Sequence, residues 1–349
     1  MVSLKPSEID RSESHPTCAA PLSSSSRAPG APFDRILLSP SPVKGKFVAL
    51  TYLDEANVRQ LLRMEELIPA VRRGLAELSA GRVAQPVRVV VPVEEHAGFF
   101  GLMPAYASSA LGAKLVTFYP DNSGLPTHHA VIALFQPETG EPIALMDGRL
   151  ITEMRTAAAS AVATDLLARR TAGVLAILGS GVQAASHLEA LRLVRPIREV
   201  RVWSPRNAAA FAKRHGVHAA GAAKEAVRGA DLIVTATSST TPVLRGEWVS
   251  PGAHVNAVGA CRPDWRELDD DLLGKSRIWV DSKAAAVVES GDVIAAGADR
   301  VAGEIGSVAS GTLGGRSHDG EITVFKSLGV AVEDLVAAEL VRRRSLGSD

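Results

Sequence analysis

The segment VLAILGSGVQAASH at residues 174–187 constrains the fold more than any other part of the chain. An apolar run typical of a buried strand ends in Gly179 and Gly181, and a helical pattern follows at once. In this strand–turn–helix context, a G-x-G-x-x-A turn binds the pyrophosphate of a dinucleotide, because the glycines let backbone and helix N–H groups approach the anion. The alternative is a glycine turn that binds nothing. The predicted cofactor-binding loop consists of Gly179, Ser180, Gly181, Val182 and Gln183.

Apolar strands continue to alternate with helical patterns after this loop. The strand-like runs EVRVWS, ADLIVTAT, AHVNAVGA and RIWVDS are separated by helical stretches such as AASHLEALRLV and PRNAAAFAKRH. Strands that alternate with helices predict an α/β fold with a Rossmann-type, doubly wound parallel sheet. We expect this NAD(P)-binding domain to span residues 156–317.

Residues 47–155 follow a different pattern. A helical run precedes the short strand-like runs VRVVVPV, GFFGLMPAY and AKLVTFYP, and a hairpin is expected around Thr139–Gly140. This order predicts a mixed α+β domain for substrate binding and dimerisation. The run FKSLGVAVEDLVAAELVRRR is typical of a helix, so residues 318–349 are expected to pack back onto this domain. Residues 1–46 are rich in Ser and Pro and are expected to be a disordered extension.

The composition excludes several classes of protein. The 38 Lys and Arg residues balance 38 Asp and Glu residues, which argues against nucleic acid as the main partner. The two cysteines are far apart, which excludes a disulfide framework and favours a reducing, cytoplasmic compartment. No apolar run is long enough to span a bilayer, so no membrane partner is expected.

Three consecutive aspartates at residues 269–271 resemble a metal cluster at first sight. Consecutive carboxylates point in different directions on a helix, and no His or Cys at ligand spacing accompanies them. We interpret them as the solvated start of a helix, where acidic groups are favoured. No metal site is predicted.

The end of the second strand of the nucleotide-binding unit indicates which dinucleotide is bound. The stretch VRVWSPRNAA lacks the carboxylate that would accept a hydrogen bond from a ribose 2′-hydroxyl. It offers the Ser204 hydroxyl and the Arg206 guanidinium, both suited to a 2′-phosphate. NADPH is therefore the predicted cofactor, with NADH possible. Alternatively, Ser204 caps the next helix and Arg206 is solvated.

Several long segments carry a resemblance to a known family. They include MDGRLITEMRTAAASA, GEWVSPGAHVNAVGACRPDWRELDDDLL and TVFKSLGVAVEDLVAA, and they lie in the family's order between residues 50 and 342. The chain resembles the ornithine cyclodeaminase/mu-crystallin family, and within it the mu-crystallin, or ketimine reductase, branch. The resemblance implies a homodimer that binds NAD(P)H and acts on a small amino or imino acid.

The resemblance also assigns roles to residues outside the glycine loop. It implies that Arg88, Lys114 and Arg155 bind the substrate carboxylate, and that Arg88 and Lys114 are catalytic. Glu289 would face the substrate, whereas Thr127, His128, Arg155 and Ser327 would contact the cofactor. Purely structural roles compete with these: the cations reach solvent or pair with Asp147 and Glu153, His128 is structural, Glu289 is solvated, and Ser327 is a helix N-cap.

The expected reaction is hydride transfer from NADPH to the C=N carbon of a cyclic imino acid, such as Δ1-piperideine-2-carboxylate or Δ1-pyrroline-2-carboxylate. The proton comes either from Lys114 or with a substrate that arrives as the iminium ion. An ornithine cyclodeaminase is disfavoured, because the resemblance implies an Asp at the position of Ala260 and a Glu at that of Gly101, and this chain has neither carboxylate. Two rival interpretations are an alanine-dehydrogenase-like oxidoreductase and a non-catalytic, NADPH-dependent small-molecule binder of the thyroid-hormone-binding kind.

Overall fold

A computed structural model describes residues 50–107 and 110–347 of the protein. The expected extension over residues 1–46 lies outside the described residues. Within them, the chain forms two sheets, of seven and eight strands, with helices packed against both. Each sheet is built from one of the two sequence patterns described above.

The first sheet is antiparallel apart from one parallel pair, and its strand order is β1-β7-β6-β5-β4-β2, with β3 also paired to β4. Its strands are β1 (Thr51–Leu53), β2 (Val83–Ala84), β3 (Val89–Val93), β4 (Gly98–Ala107), β5 (Ala110–Phe118), β6 (His128–Phe135) and β7 (Pro142–Asp147). Gly140 has a φ of +76°, a backbone conformation that favours glycine, in the turn of the predicted hairpin. The mixed α+β prediction for this part of the chain is confirmed.

The second sheet is entirely parallel, in the order β10-β9-β8-β11-β12-β15-β13-β14. Its strands are β8 (Val174–Leu178), β9 (Glu199–Trp203), β10 (His218–Ala219), β11 (Leu232–Thr235), β12 (His254–Ala257), β13 (Ser276–Val280), β14 (Val301–Glu304) and β15 (Ile322–Lys326). Chain order changes direction between β8 and β11, which is the switch point where doubly wound sheets bind ligands at their carboxyl edge. The Rossmann-type prediction is confirmed.

Eleven α-helices occur among the described residues. They are α1 (Glu55–Leu61), α2 (Met64–Ser79), α3 (Arg149–Leu167), α4 (Val182–Val194), α5 (Ala208–His215), α6 (Ala223–Val227), α7 (Asp270–Lys275), α8 (Lys283–Glu289), α9 (Gly291–Ala296), α10 (Ile305–Ala309) and α11 (Ala331–Ser345). None of these helices is both long and apolar enough to cross a membrane. Asp269 caps α7 by accepting from Leu272 N, so the aspartates do begin a helix.

One boundary differs from the sequence-based expectation. Ile322–Lys326 forms β15, which hydrogen-bonds to β12 and β13 inside the parallel sheet, and the last helix begins only at Ala331. The prediction that all of residues 318–349 belong to the first unit was therefore wrong for Ile322–Lys326. The prediction of a helix from Phe325 was wrong as well, because Phe325 lies in β15. A short, continuous apolar run does not distinguish a buried strand from a buried helix by its periodicity.

The helix α11 returns to the first sheet, as the sequence predicts. It packs with α2 and α3 on the inner face of that sheet, against β4, β5 and β6. The apolar core there includes Met103, Ile132 and Met146, all of which lie on this inner face. Lys114 is cross-strand to Met103 and Ile132, so the fold places a lysine within this apolar layer.

Candidate active site

The glycine turn after β8 has the geometry that an anion-binding loop needs. Gly179 has a φ of +125°, and a Cβ added there would lie 2.3 Å from the carbonyl oxygen of Ala236. Only glycine allows this close approach between the loops after β8 and β11. Gly181 is the N-cap residue of α4 and has no side chain that could accept from the first N–H groups of the helix. A Cβ added at this position would have no other atom within 4 Å. The first N–H groups of α4 therefore remain available for a pyrophosphate, so the loop fits a dinucleotide.

The residues after β9 lie beside this loop. The Ser204 and Ser180 hydroxyls are 2.8 Å apart, and Ser204 Oγ also accepts from Asn207 N at 3.1 Å. Ser204 thus stabilises the turn before α5, whose N-cap is Asn207, and contacts the glycine loop, while its contact with a 2′-phosphate stays a prediction. Arg206 is exposed and has no hydrogen-bond or ion-pair partner in the described part of the chain. Both side chains are placed where a 2′-phosphate could be bound.

A buried carboxylate joins two of the predicted substrate-binding cations. Asp334 Oδ2 lies 2.7 Å from Lys114 Nζ, and its Oδ1 accepts from Arg155 Nε at 2.9 Å. Glu333, the neighbouring residue on α11, accepts from Arg155 Nη1 at 2.7 Å. All four side chains are buried. Asp147 and Glu153, the acids expected as structural partners, contact Arg149 instead. The cations do pair with acids, but with Asp334, Glu333 and Glu289, so the assignment of these two partners was wrong and the structural role itself stays open.

Burial and mutual contact set the charges of this cluster. Burial lowers the pKa of Lys114 to about 8, although the Asp334 carboxylate opposes this shift. Burial alone would raise the pKa of Asp334, but Arg155 and Lys114 outweigh it and lower this pKa. Burial raises the pKa of Glu333 to about 8 against the opposing charge of Arg155. Burial therefore favours the neutral forms of Lys114 and Glu333, whereas the contact with two cations keeps Asp334 charged.

Two of the three guanidinium nitrogens of Arg88, Nε and Nη2, are hydrogen-bonded within the protein. Its Nε donates to Glu289 Oε1 at 2.8 Å, and its Nη2 donates to the carbonyl oxygens of Leu328 and Gly329 at 2.6 and 2.9 Å. Among the residues that the structure describes, these bonds leave Nη1 as a donor for a ligand. Glu289 Oε2 is buried without a hydrogen-bond partner within the described residues, and burial raises the pKa of this carboxyl group. Both side chains line a cavity of about 200 Å³, next to Gln85 and Val330.

Gly329 lies between Arg88 and Arg155 and contacts both. Its carbonyl accepts from Arg88, and a Cβ added at this position would lie 2.1 Å from Nη1 of Arg155. With a φ of +73°, the position also favours glycine conformationally. The turn before α11 therefore brings Arg88, Arg155 and Glu289 into one site, and Asp334 adds Lys114 to it.

The remaining predicted residues lie around this site. Burial, followed by the nearby charges of Lys114 and Arg155, lowers the pKa of His128 to about 4, so this imidazole is neutral. Thr127, the residue before it, is exposed, and its backbone carbonyl oxygen accepts from Tyr119 N at 2.7 Å. Ser327 follows β15, and its Oγ lies 3.5 Å from Asp281 Oδ2. Ser327 is not a helix N-cap, because α11 begins at Ala331.

Four buried acids were not identified from the sequence as parts of the site: Asp281, Glu267, Glu333 and Asp334. Asp281 follows β13 directly, and Glu267 accepts from Thr235, Thr237 and Gly259 at the carboxyl ends of β11 and β12. An acid just beyond an apolar strand was a usable signal for Asp281, because carboxyl ends of parallel strands meet at the ligand-binding edge. Asp334 gave no comparable local signal.

The chain is similar to known proteins over most of its length. The model of the ornithine cyclodeaminase/mu-crystallin family matches residues 50–349. The chain is 51% identical over 305 residues to the ketimine reductase mu-crystallin of Mus musculus, covering 84% of this chain and 96% of that protein.

Two solved structures have the same fold. The Δ1-pyrroline-2-carboxylate reductase of Thermococcus litoralis, in complex with NADH and L-proline, is 38% identical with a TM-score of 0.82, covering 85% of this chain and 98% of that one. An archaeal alanine dehydrogenase dimer with bound NAD is 36% identical with a TM-score of 0.81, covering 85% and 96%. The chain belongs to the ornithine cyclodeaminase/mu-crystallin family.

Proposed function

We propose that the protein is an NADPH-dependent oxidoreductase that reduces the C=N bond of cyclic imino acids to give cyclic amino acids. The observation that carries this proposal is the convergence of three cations: Lys114 and Arg155 share Asp334, and Arg155 lies against the Gly329 turn that holds Arg88. Cations gathered beside the cavity that Arg88 lines would suit a small carboxylate. The ketimine reductase and Δ1-pyrroline-2-carboxylate reductase relatives support the same bond type.

Arg88, Lys114 and Glu289 each have a role in binding the substrate or in transferring a proton to it. When bound, NADPH supplies the hydride that attacks the C=N carbon. Arg88 Nη1 and Lys114 Nζ bind the substrate carboxylate and hold the imine in place. The unpartnered Glu289 Oε2 accepts a hydrogen bond from the protonated imine nitrogen. Lys114 is the group that transfers a proton to this nitrogen, and it is re-protonated from solvent.

The experiment that tests this function uses the purified protein with NADPH and Δ1-piperideine-2-carboxylate or Δ1-pyrroline-2-carboxylate. We expect loss of reduced-nicotinamide absorbance with matching formation of pipecolate or proline. Absence of turnover with both imines, together with ammonia release from ornithine, would establish a cyclodeaminase instead. Tight binding of a thyroid-hormone-like molecule without turnover of any imine would establish a binding protein.

An alanine-dehydrogenase-like activity is the second candidate, because the archaeal alanine dehydrogenase shares the fold at 36% identity. The cationic pocket suits pyruvate as well as a cyclic imino acid, since both are small carboxylates. Formation of NADH from L-alanine and NAD distinguishes this activity from cyclic imine reduction.

Arg206→Ala is expected to raise the KM for NADPH by about tenfold or more and to leave the KM for NADH nearly unchanged. The reason is that the exposed Arg206 guanidinium would bind the 2′-phosphate, and one charge-assisted hydrogen bond contributes about 1.5–3 kcal/mol. Arg214→Ala, in the last turn of α5, is the control and should change neither KM. Equal changes for the two cofactors in Arg206→Ala would contradict the assignment.

The outer face of the first sheet supports the proposed homodimer. Val89, Leu115 and Val131 lie in one row across β3, β5 and β6 and are between 38% and 55% exposed. An apolar sheet face of this kind marks an interaction surface. Leu115→Glu is expected to shift the protein from dimer to monomer in sedimentation experiments, and an unchanged dimer would place the interface elsewhere.

The domain limits also remain our proposal. Residues 47–155 and the helix α11 would form the substrate-binding and dimerisation part, and the residues from 156 through β15 the nucleotide-binding part. The free thiol of Cys261 fits the reducing, cytoplasmic compartment that we propose.

A further inference from the structure

We propose that Asp281 is a positioning residue for imine reduction, because it fixes the turn Ser327–Gly329 that in turn holds Arg88. This inference rests on the function proposed above. Asp281 does not line the cavity beside Arg88, and it acts through the backbone of the turn.

The carboxylate of Asp281 is fully buried and lies directly after β13. Its Oδ2 accepts from Leu328 N at 2.7 Å and from Gly329 N at 2.8 Å, and its Oδ1 accepts from Ser282 N at 2.9 Å. Two consecutive N–H groups that share one oxygen fix the orientation of both peptide planes. The turn is therefore oriented by a single side chain from a neighbouring strand.

The opposite sides of the same residues face Arg88. The carbonyl oxygens of Leu328 and Gly329 both accept from Arg88 Nη2. The turn thus directs its N–H groups at a carboxyl group and its carbonyl groups at a cation. Because these bonds occupy Nη2 and Glu289 occupies Nε, the orientation of the turn determines where the free Nη1 points.

The same turn also contacts the other parts of the site. Gly329 lies against the guanidinium of Arg155, and Ser327 Oγ is 3.5 Å from Asp281 Oδ2. The resemblance places Ser327 beside the cofactor, so the turn links the cofactor side of the site to its carboxylate-binding side. A displacement of about 1 Å in such a support can lower the rate of a reaction on the order of 100-fold.

Asp281→Asn tests this role with little change in volume. An amide exposes an N–H group to at least one of the three backbone donors, so the turn loses part of its support in either amide orientation. We expect the KM for Δ1-piperideine-2-carboxylate to rise about 10-fold to 100-fold. The dissociation constant of NADPH should change much less than this KM, because the glycine loop is built on other strands and only Ser327 of this turn is placed beside the cofactor.

Asp231→Asn is the matched control. Asp231 Oδ2 also accepts from two consecutive backbone N–H groups, those of Gly173 and Val174, at 2.9 and 3.1 Å, but at the amino end of β8. Loss of these bonds should lower Tm without raising the KM for the imine. If Asp281→Asn changes only Tm, or changes the KM no more than Asp231→Asn does, the positioning role is wrong.

A binding measurement separates this inference from the proposed function. Pyrrole-2-carboxylate carries the same carboxylate on a ring that is not reduced, and its affinity for the NADPH complex can be measured by calorimetry. If the wild-type protein reduces no imine, the proposed function fails, but weaker binding to Asp281→Asn would still support the positioning of Arg88. Equal binding to both would overturn it. If Asp281→Asn does not fold, Asp281→Ser is measured in the same way, with the same two outcomes.

Discussion

Asp334→Ala is expected to abolish imine reduction and to lower the free energy of unfolding by about 3–5 kcal/mol. Asp334 is the shared partner of Lys114 and Arg155, and both cations are buried. Its removal leaves two positive charges in an apolar layer with only Glu333 beside them, and burial favours the neutral form of Glu333. Lys114 would respond by losing its proton, so the carboxylate-binding group would also be lost. Urea denaturation gives the stability change, and the imine assay gives the activity.

Glu339→Ala provides the matched control on the same helix. Glu339 also accepts from two arginines, Arg342 and Arg343, but these pairs are only partly buried, and the Arg343 side chain is 55% exposed. Surface ion pairs contribute between about 0 and 1 kcal/mol each, so this variant should remain stable and active. Equal destabilisation by Asp334→Ala and Glu339→Ala would show that the buried cluster does not depend on Asp334.

The nucleotide-binding half could be predicted from the sequence because its signals are local. A fully buried strand, a glycine turn and a helix follow one another within residues 174–187, and each has its own pattern. The close approach of Gly179 to Ala236 was not predictable, since Ala236 lies more than fifty residues further along the chain. The residue type was nevertheless sufficient to locate the turn.

The cations of the substrate pocket were predicted from the sequence, but which acids pair with them was not. The cations Arg88, Lys114 and Arg155 were assigned to the pocket by the family resemblance, since a charged side chain in an apolar run indicates only that it needs a partner. The acids that pair with them come from α8 and α11 and lie far along the chain, so no spacing rule connects the two sets. Lys326 shows the same limit, since it is fully buried in β15 near Asp292 although its sequence pattern is typical of a helix.

Imine reduction by the wild-type protein is expected to fall about tenfold per pH unit above pH 8. Lys114 works in its protonated form, both to bind the carboxylate and to transfer a proton. Because burial lowers its pKa to about 8, the active form is present below this pH and disappears above it. An ordinary lysine would keep its charge to about pH 10.4. The measurement is kcat/KM for Δ1-piperideine-2-carboxylate between pH 6 and pH 10 at fixed ionic strength, roughly two units either side of the expected pKa.

Two variants assign this pH dependence to Lys114. Glu333 has a pKa raised to about 8 as well, so Glu333→Gln removes the other buried group that titrates in this range and should leave the alkaline decline in place. Lys114→Arg keeps a positive charge at all these pH values but cannot transfer a proton, so its low residual activity uses only substrate that arrives as the iminium ion and should not follow the pKa of Lys114. A decline that persists in Lys114→Arg would be due to titration of the imine itself. A decline that vanishes in Glu333→Gln would assign it to Glu333, and Lys114 would then be only a fixed cation in the pocket.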